Sequence, residues 1–182
     1  MTARTCYIFC LFFLGIAGLR PAISGDKHIR QLFSDLEIES LGKQKAPPFY
    51  LRSLAGDTLS LESFGDSLMI VHFWATWCVP CRKEMPEMSA FAAANDSLPV
   101  VFIGISVDDE KDVPKVPAAV KKMGVNFPIA VAAGGDIDHA YWTWGVPVTY
   151  LISRDRHILG RILGPRSWQN PKMLQLIHLL TR

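Results

Sequence analysis

The sequence has no surplus of charge of one sign, no repeats and no low-complexity tract. Its 182 residues include 19 Lys and Arg against 17 Asp and Glu, and Arg4 and Arg20 are the only charged residues before Gly25. Because a nucleic-acid-binding surface needs a basic stripe that neutralises phosphates, we expect no nucleic acid among the partners. With 49% hydrophobic residues, the chain also differs from disordered and fibrous proteins and can form a packed core.

A hydrophobic run long enough to cross a membrane is missing from the N-terminus. The apolar run 6–19 has 14 residues, and as a helix it would be about 21 Å long, short of the roughly 30 Å hydrocarbon core of a bilayer. The sequence AIS at 22–24 then matches the small-x-small pattern that signal peptidases recognise. We therefore predict that residues 1–24 are a cleaved signal peptide, with an uncleaved N-terminal membrane anchor as the alternative. Lipid attachment at Cys10 is not favoured, since the small residues of a lipid-attachment motif do not precede it.

Cysteine is scarce, and half of it would be lost on export. Cys6 and Cys10 lie within the apolar run, so that the exported chain would keep Cys78 and Cys81 alone. A disulfide between residues so close in sequence constrains the unfolded chain little, and a structural role is therefore not expected. A zinc ribbon would need a second pair of ligands, and the five histidines show no paired ligand spacing. We expect no metal and interpret the two cysteines as a redox pair.

Beyond the N-terminal run, the pattern of the chain predicts an α/β domain that begins at Ala46. Residues 25–45 are mixed in charge with a weak helical pattern, and we predict a leader or linker segment there. Two short strands around a turn at 55–57 predict an N-terminal β-hairpin. The later strands are predicted at 67–74, 99–107, 127–131, 148–153 and 157–163, and the helices at 83–94, 112–123, 136–144 and 171–180. This order indicates a mixed central sheet flanked by helices, in a domain that covers 46–182.

The two cysteines lie where a buried strand ends and a helix begins. The first turn of a helix exposes unpaired N–H groups and the positive end of the helix dipole, which stabilises a thiolate at Cys78 and lowers its pKa. The thiolate is the nucleophile of thiol–disulfide exchange. Cys81 follows one helical turn later on the same side, within disulfide distance. We therefore predict that Cys78 attacks the substrate and that Cys81 is the more buried, resolving thiol.

The motif FWATWCVPCRKEMP at 73–86 resembles the thioredoxin superfamily, and specifically its exported branch of TlpA, ResA and DsbE (CcmG) proteins. Further marks of this branch are the segments APPFYL, VVFIGISVDD, GVNFPI and GVPVTYLISRD, which extend the resemblance over about 46–182. The resemblance implies a thioredoxin-like fold and a thiol–disulfide oxidoreductase, exported to the bacterial periplasm or to the outer face of the cytoplasmic membrane. It implies no cofactor other than the redox-active disulfide of Cys78 and Cys81.

The resemblance also implies which residues contact the substrate. The Val146–Pro147 bond is expected to be cis, in a loop against the cysteine pair where the backbone of Val146 would pair with an extended substrate segment. The predicted substrate-binding residues are Trp77, Val79, Pro80, Val146 and Pro147. Trp142 or Trp144 could extend this surface, with burial of the aromatic ring as the alternative.

Two further residues are candidates for proton transfer. Glu84 matches a carboxylate that ResA-like proteins place near the cysteines as proton donor and acceptor, a role that needs partial burial and a raised pKa. Its alternative is a solvated helix glutamate. His72 departs from the pattern, since thioredoxins have a buried Asp at this position of the strand. It could transfer protons to Cys81, or it could be a hydrogen-bonded histidine of the core.

The resemblance favours a reductase of protein disulfides. Its substrates would be proteins with cysteine pairs, for example haem-binding CxxCH sites in cytochrome c maturation, and its electrons would come from a membrane donor of the DsbD or CcdA kind. An oxidase or isomerase is the first alternative, although Val79 and Pro80 lack the histidine of strongly oxidising DsbA-like centres. A peroxidase would show a Thr ahead of a Cys in a Pro-rich loop, which is missing. A non-catalytic module that handles metal or haem, with Met85 and Met88 as ligands, is the third.

Overall fold

A six-stranded mixed sheet forms the centre of the molecule. The computed structural model describes residues 22–182 apart from 43, 134–136 and 142, so that most of the predicted signal peptide lies outside the described residues. The strands are β1 (Gln44–Lys45), β2 (Tyr50–Arg52), β3 (Thr58–Ser60), β4 (Leu68–Trp74), β5 (Val100–Ser106), β6 (Ile129–Val131), β7 (Val148–Ile152) and β8 (His157–Leu163). The helices are α1 (Ala22–Asp35), α2 (Val79–Ala94), α3 (Val116–Met123), α4 (Ile137–Ala140) and α5 (Pro171–Leu180).

The strand order in the central sheet is β1-β8-β7-β4-β5-β6, with β4, β5 and β6 parallel and β1, β7 and β8 in antiparallel pairs. Strands β2 and β3 form a separate antiparallel hairpin, as predicted. The sheet and its flanking helices confirm the predicted thioredoxin-like α/β fold. Within the described residues, no helix has both the length and the apolar character needed to cross a membrane.

Strand β4 is buried along its whole length, which is why its sequence is almost continuously apolar. Alternate side chains enter two separate core layers, with Ile70 and Trp74 on one face and Val71 and Phe73 on the other. The first layer contains side chains of α1, α2, α3 and α5, and the second contains the β2–β3 hairpin and α4. The sheet is therefore covered on both faces, and the carboxyl end of β4 leads directly to the cysteines.

Residues 25–45, predicted as a leader or linker, pack on the domain. Helix α1 and the chain after it bury Leu32, Phe33, Leu36 and Ile38 in the first core layer, and β1 adds an edge strand beside β8. The weak helical pattern that the sequence shows is thus the apolar stripe of an amphipathic helix. This segment is therefore packed as part of the folded domain. The hydrophobic core continues across the predicted boundary at Ala46.

The predicted helix bounds differ from the structure at three places. Helix α2 begins at Val79 rather than Lys83, because Cys78 serves as its N-cap. The predicted helix 112–123 is a 3-10 turn at Val113–Lys115 followed by α3, in a segment with two prolines. Helix α4 covers only four residues, and the described residues between it and Pro147 are not helical.

Candidate active site

The cysteine pair lies at the start of α2 and is joined in a disulfide. The Cα atoms of Cys78 and Cys81 are 5.3 Å apart, and the backbone N–H of Cys81 donates to Sγ of Cys78 at 3.2 Å. Cys78 is 3% exposed and Cys81 is fully buried. The sulfur of Cys78 is thus the one at the helix N-terminus, where unpaired N–H groups and the helix dipole favour a negative charge.

The loop between β4 and α2 is fixed by a buried carboxylate that sequence analysis did not identify. Asp108, 1% exposed, accepts hydrogen bonds from the backbone N–H of Thr76 at 2.9 Å and from its hydroxyl at 2.5 Å. The hydroxyl of Ser106 donates to the same carboxylate at 2.7 Å. Asp108 therefore holds the chain two residues before Cys78. In the sequence, Asp108 belongs to the segment VVFIGISVDD. That segment predicts strand β5 but does not predict the hydrogen bonds between Asp108 and Thr76.

The loop before β7 lies against the disulfide, as predicted. The Val146–Pro147 bond is cis, and Sγ of Cys78 is 3.6 Å from the carbonyl oxygen of Val146. Val146 is half-buried and Pro147 is buried. The backbone of Val146 is therefore placed beside the outer sulfur, and its pairing with a substrate segment remains a prediction.

Exposed apolar side chains lie on both of the segments that meet at the disulfide. Trp77 is 61% exposed and Val79 is 50% exposed, on the loop and first turn that contain Cys78, and Pro80 is also exposed. Trp144, two residues before Val146 of the cis-proline loop, is 86% exposed. Trp142, the other predicted docking residue of this loop, lies outside the described residues. Large aromatic and aliphatic side chains exposed beside a reactive centre indicate a docking surface for a polypeptide.

Glu84 is buried one helical turn after Cys81, at 4% exposure. Its Oε1 accepts from the indole N–H of Trp168 at 3.0 Å and from the backbone N–H of Arg166 at 3.2 Å, while Oε2 has no hydrogen-bond partner among the described residues. Burial raises the pKa of Glu84 from 4.5 to about 7, against the opposing effect of these two donors. A carboxyl group that is half-ionised near pH 7 can both accept and donate a proton.

Two residues that support Glu84 had no signal in the sequence. Trp168 is 1% exposed and packs in the same core layer as α2. The guanidinium of Arg166 donates to the carbonyl oxygen of Leu36 at 3.2 Å and lies 2.9 Å from the carboxylate of Glu37. Glu84 borders an open cavity of about 430 Å³ that reaches Val79 and Pro80. The carboxyl group thus lies next to the predicted substrate surface, not in free solvent.

His72 is fully buried on the face of β4 that enters the first core layer. Its Nδ1 is 2.9 Å from the hydroxyl oxygen of Thr149, and its Nε2 has no hydrogen-bond partner in the described part of the chain. Burial lowers the pKa of His72 from 6.5 to about 3, so that the imidazole is neutral near pH 7. The contact with Thr149 agrees with a histidine of the core, and proton transfer to Cys81 remains a prediction.

Met85 and Met88, the pair that a metal-handling module would use, are both fully buried in the first core layer. Among the residues that the structure describes, no cluster of three or more His, Cys, Asp or Glu side chains could bind a metal ion. Buried methionines at these helix positions fill the core beneath the cysteines.

The disulfide lies at a helix N-terminus, after the carboxyl end of a central strand and beside a cis-proline loop. This arrangement suits exchange with thiols of other molecules. The fold and the site together define a thiol–disulfide oxidoreductase with the thioredoxin fold. Residues 43–160 match the family described as AhpC/TSA, and the chain belongs to that family.

Named relatives agree with this class. The chain is 33% identical over 135 residues to the thiol-disulfide oxidoreductase ResA of Bacillus cereus, covering 74% of this chain and 76% of the relative. It is 29% identical over 134 residues to the sporulation thiol-disulfide oxidoreductase A of Bacillus subtilis, covering 71% and 80%. A solved structure of a secreted Mycobacterium tuberculosis disulfide oxidoreductase, homologous to E. coli DsbE, has a TM-score of 0.60 and 26% identity, covering 72% and 96%. The predicted resemblance to the ResA and DsbE branch is confirmed.

Proposed function

We propose that the protein is an extracytoplasmic reductase of protein disulfides. The observation that supports this most directly is the unequal placement of the two sulfurs. Cys78 lies at the helix N-terminus, 3.6 Å from the Val146 carbonyl oxygen and next in the chain to the exposed Trp77 and Val79, while Cys81 is fully buried. This placement suits attack by Cys78 and resolution by Cys81.

The exchange proceeds in two displacement steps. In the reduced protein, the thiolate of Cys78 attacks one sulfur of the substrate disulfide, which forms a mixed disulfide and releases the first substrate thiolate. The thiol of Cys81 then loses its proton and attacks Sγ of Cys78, which forms the intramolecular disulfide and releases the second substrate thiolate. Two electrons pass from the protein to the substrate, and each released thiolate takes up a proton.

Glu84 is the proposed acceptor of the Cys81 proton. The two residues are three apart on α2 and therefore lie on the same side of the helix. With its pKa raised to about 7, the carboxyl group can take a proton from Cys81 and return it through the cavity that borders it. His72 is a second proposed route, and its neutral imidazole would have to exchange the proton through Nε2.

The proposed location is the periplasm or the outer face of the bacterial cytoplasmic membrane, with the N-terminal run as signal peptide or anchor. Similarity to ResA and to a secreted disulfide oxidoreductase supports it. The proposed substrates are proteins with cysteine pairs, including haem-binding CxxCH sites during cytochrome c maturation. A membrane donor of the DsbD or CcdA kind would return two electrons to the disulfide after each cycle. No further cofactor is needed for this chemistry.

A trapping experiment together with a redox titration tests the proposal. Cys81→Ser removes the resolving thiol, so that a disulfide-containing substrate should accumulate as a mixed disulfide on Cys78 that dithiothreitol releases. Cys78→Ser, the matched control, should trap none. The reduction potential is expected nearer to that of thioredoxin, about −270 mV, than to that of DsbA, about −120 mV. A potential near the DsbA value would make the protein an oxidase. If only Cys78→Ser accumulated a mixed disulfide, on Cys81, the roles of the two cysteines would be reversed.

A further inference from the structure

A second groove lies on the other flank of α2, against α3. Its volume is about 920 Å³, near the upper end of the roughly 300–1,000 Å³ typical of ligand sites. Trp77 and Val79, the exposed residues on either side of Cys78, form its end nearest the disulfide. Pro86 and the α3 side chains Ala119 and Met123 supply an apolar wall. The groove thus reaches the residues next to Cys78, and its volume is large enough to hold several side chains of a polypeptide.

The charges along this groove are mostly positive. The described residues that line it include Arg82 and Lys83 from α2, and Lys115 and Lys122 from the segment that contains α3. Asp112 is the one carboxylate among them, and its Oδ1 is already 2.6 Å from Nζ of Lys115.

Three of these cations remain available to a ligand. Arg82, Lys83 and Lys122 are exposed, and none has an ion-pair partner within the described parts of the chain. The groove around Glu84 differs, because Glu84 and Glu87 there accompany Lys83 and Arg166. The groove against α3 therefore has more cations than carboxylates among its lining residues, whereas the cavity beside Glu84 has two of each. This excess is local, because the chain beyond Gly25 has equal numbers of acidic and basic residues.

We propose that the groove between α2 and α3 binds an acidic segment of the polypeptide whose disulfide is exchanged at Cys78. The proposal rests on the proposed function and specifies its substrate class. Cations beside an apolar wall attract a segment that combines Asp or Glu side chains with apolar ones, and such complementarity raises the rate of encounter and selects the partner. A substrate with acidic residues on this side of its cysteine would be guided to Cys78, and a basic one would be repelled.

The test measures the second-order rate constants of the reduced protein with two synthetic peptides that contain a disulfide. The peptides are identical except that four Glu residues in one are replaced by four Lys residues in the other. At low salt the Glu peptide should react about tenfold faster than the Lys peptide. In about 1 M salt, where the Debye length falls to about 3 Å, the two rate constants should agree within about twofold.

A matched pair of variants then locates the effect in the groove. Lys122→Glu reverses a charge of the groove, and Lys121→Glu makes the same change at the preceding residue of α3, which is exposed and does not line it. In about 0.15 M salt, where the Debye length of about 8 Å restricts the effect to nearby charges, Lys122→Glu should lower the Glu-to-Lys rate ratio about threefold. Lys121→Glu should leave that ratio unchanged.

The possible results separate this proposal from the proposed function. If the reduced protein fails to reduce the small neutral hydroxyethyl disulfide, the proposed reductase function is overturned. If it reduces that compound but reacts equally fast with both peptides, or if both lysine variants lower the ratio equally, only the groove proposal is overturned. Equal peptide rates combined with binding to phosphatidylglycerol vesicles that Lys122→Glu weakens would assign the groove to a lipid surface instead.

Discussion

Replacing Glu84 by Gln should make the stability of the protein less dependent on pH. The carboxyl group is 4% exposed, and burial raises its pKa from 4.5 to about 7. Below about pH 4.5 the group is protonated in the folded and unfolded chain alike, and it costs nothing. As the pH rises from about 4.5 to 7, the unfolded chain releases this proton first, so that the folded state loses stability. Above about pH 7 both states are ionised and the cost is complete.

The size of the effect follows from the two pKa values. Each factor of ten in the ionisation constant corresponds to 1.36 kcal/mol, so that a pKa of about 7 against 4.5 corresponds to about 3 kcal/mol. The wild-type protein should therefore lose about 3 kcal/mol relative to Glu84→Gln between pH 4 and pH 8. Gln keeps the acceptor oxygen for the N–H groups of Trp168 and Arg166. Any constant cost of its unpaired amide group cancels in the difference between two pH values.

Denaturant unfolding at several pH values from 4 to 8 measures this difference. Glu62→Gln, at an exposed residue, makes the same chemical change without removing a buried acid. The rate of the resolving step gives a second readout, since its pH profile should have an inflection near pH 7 in the wild type that Glu84→Gln removes. A stability difference that stays constant within about 0.5 kcal/mol from pH 4 to 8 would refute the reasoning, because a carboxyl with a raised pKa cannot produce it.

Three further substitutions test the core and the loop around the site. Burial lowers the pKa of His72 from 6.5 to about 3, so that the folded protein should lose stability as the pH falls below 6.5. Between pH 6.5 and 4, denaturant unfolding should show His72→Gln losing about 3 kcal/mol less than the wild type. A Cβ at Gly160 would lie 2.7 and 2.8 Å from two buried side chains of the N-terminal segment, so that Gly160→Ala should destabilise by about 1–3 kcal/mol. Gly145→Ala, which meets nothing within 4 Å, should change stability little by the same measurement. Asp108→Asn would leave a buried donor unpaired and should cost about 1–3 kcal/mol and slow the exchange reaction, whereas exposed Asp109→Asn should do neither in unfolding and peptide-reduction assays.

The central strands and the cysteine centre could be predicted because their signals are local. A fully buried strand such as β4 needs continuous apolar residues, and the observed bounds Leu68–Trp74 lie within one residue of the predicted ones. Strand β8 and helix α5 were predicted with their observed bounds, His157–Leu163 and Pro171–Leu180. The cysteine motif predicted that a helix begins at the cysteines, as the structure shows, whereas the helical period alone predicted a start at Lys83. The period misses the first turn because its N-cap is the sulfur of Cys78, and cysteine is not among the side chains that usually cap helices.

The groups that support the site could not be predicted, because their contacts join distant parts of the chain. The hydrogen bond from Thr76 to Asp108 spans 32 residues, and those from Arg166 and Trp168 to Glu84 span 82 and 84 residues. No local pattern distinguishes a carboxylate that will accept such bonds from one that remains in solvent. Glu84 was predicted only through a family resemblance, and the cause of its raised pKa, burial of the carboxyl group, could be seen only in the packed structure.

The N-terminal segment and the proposed proton-transfer group are connected through Arg166. Its backbone N–H donates to Glu84, and its guanidinium donates to the carbonyl oxygen of Leu36 at the end of the segment that α1 begins. Leu36 is itself buried in the core layer that contains the cysteines. The backbone N–H from which Glu84 accepts is therefore positioned by a residue whose side chain is bonded to the N-terminal segment. The described charged residues of 25–45 are all exposed, on α1 and on the chain after it, whereas the buried face of α1 belongs to the core layer that contains the cysteines.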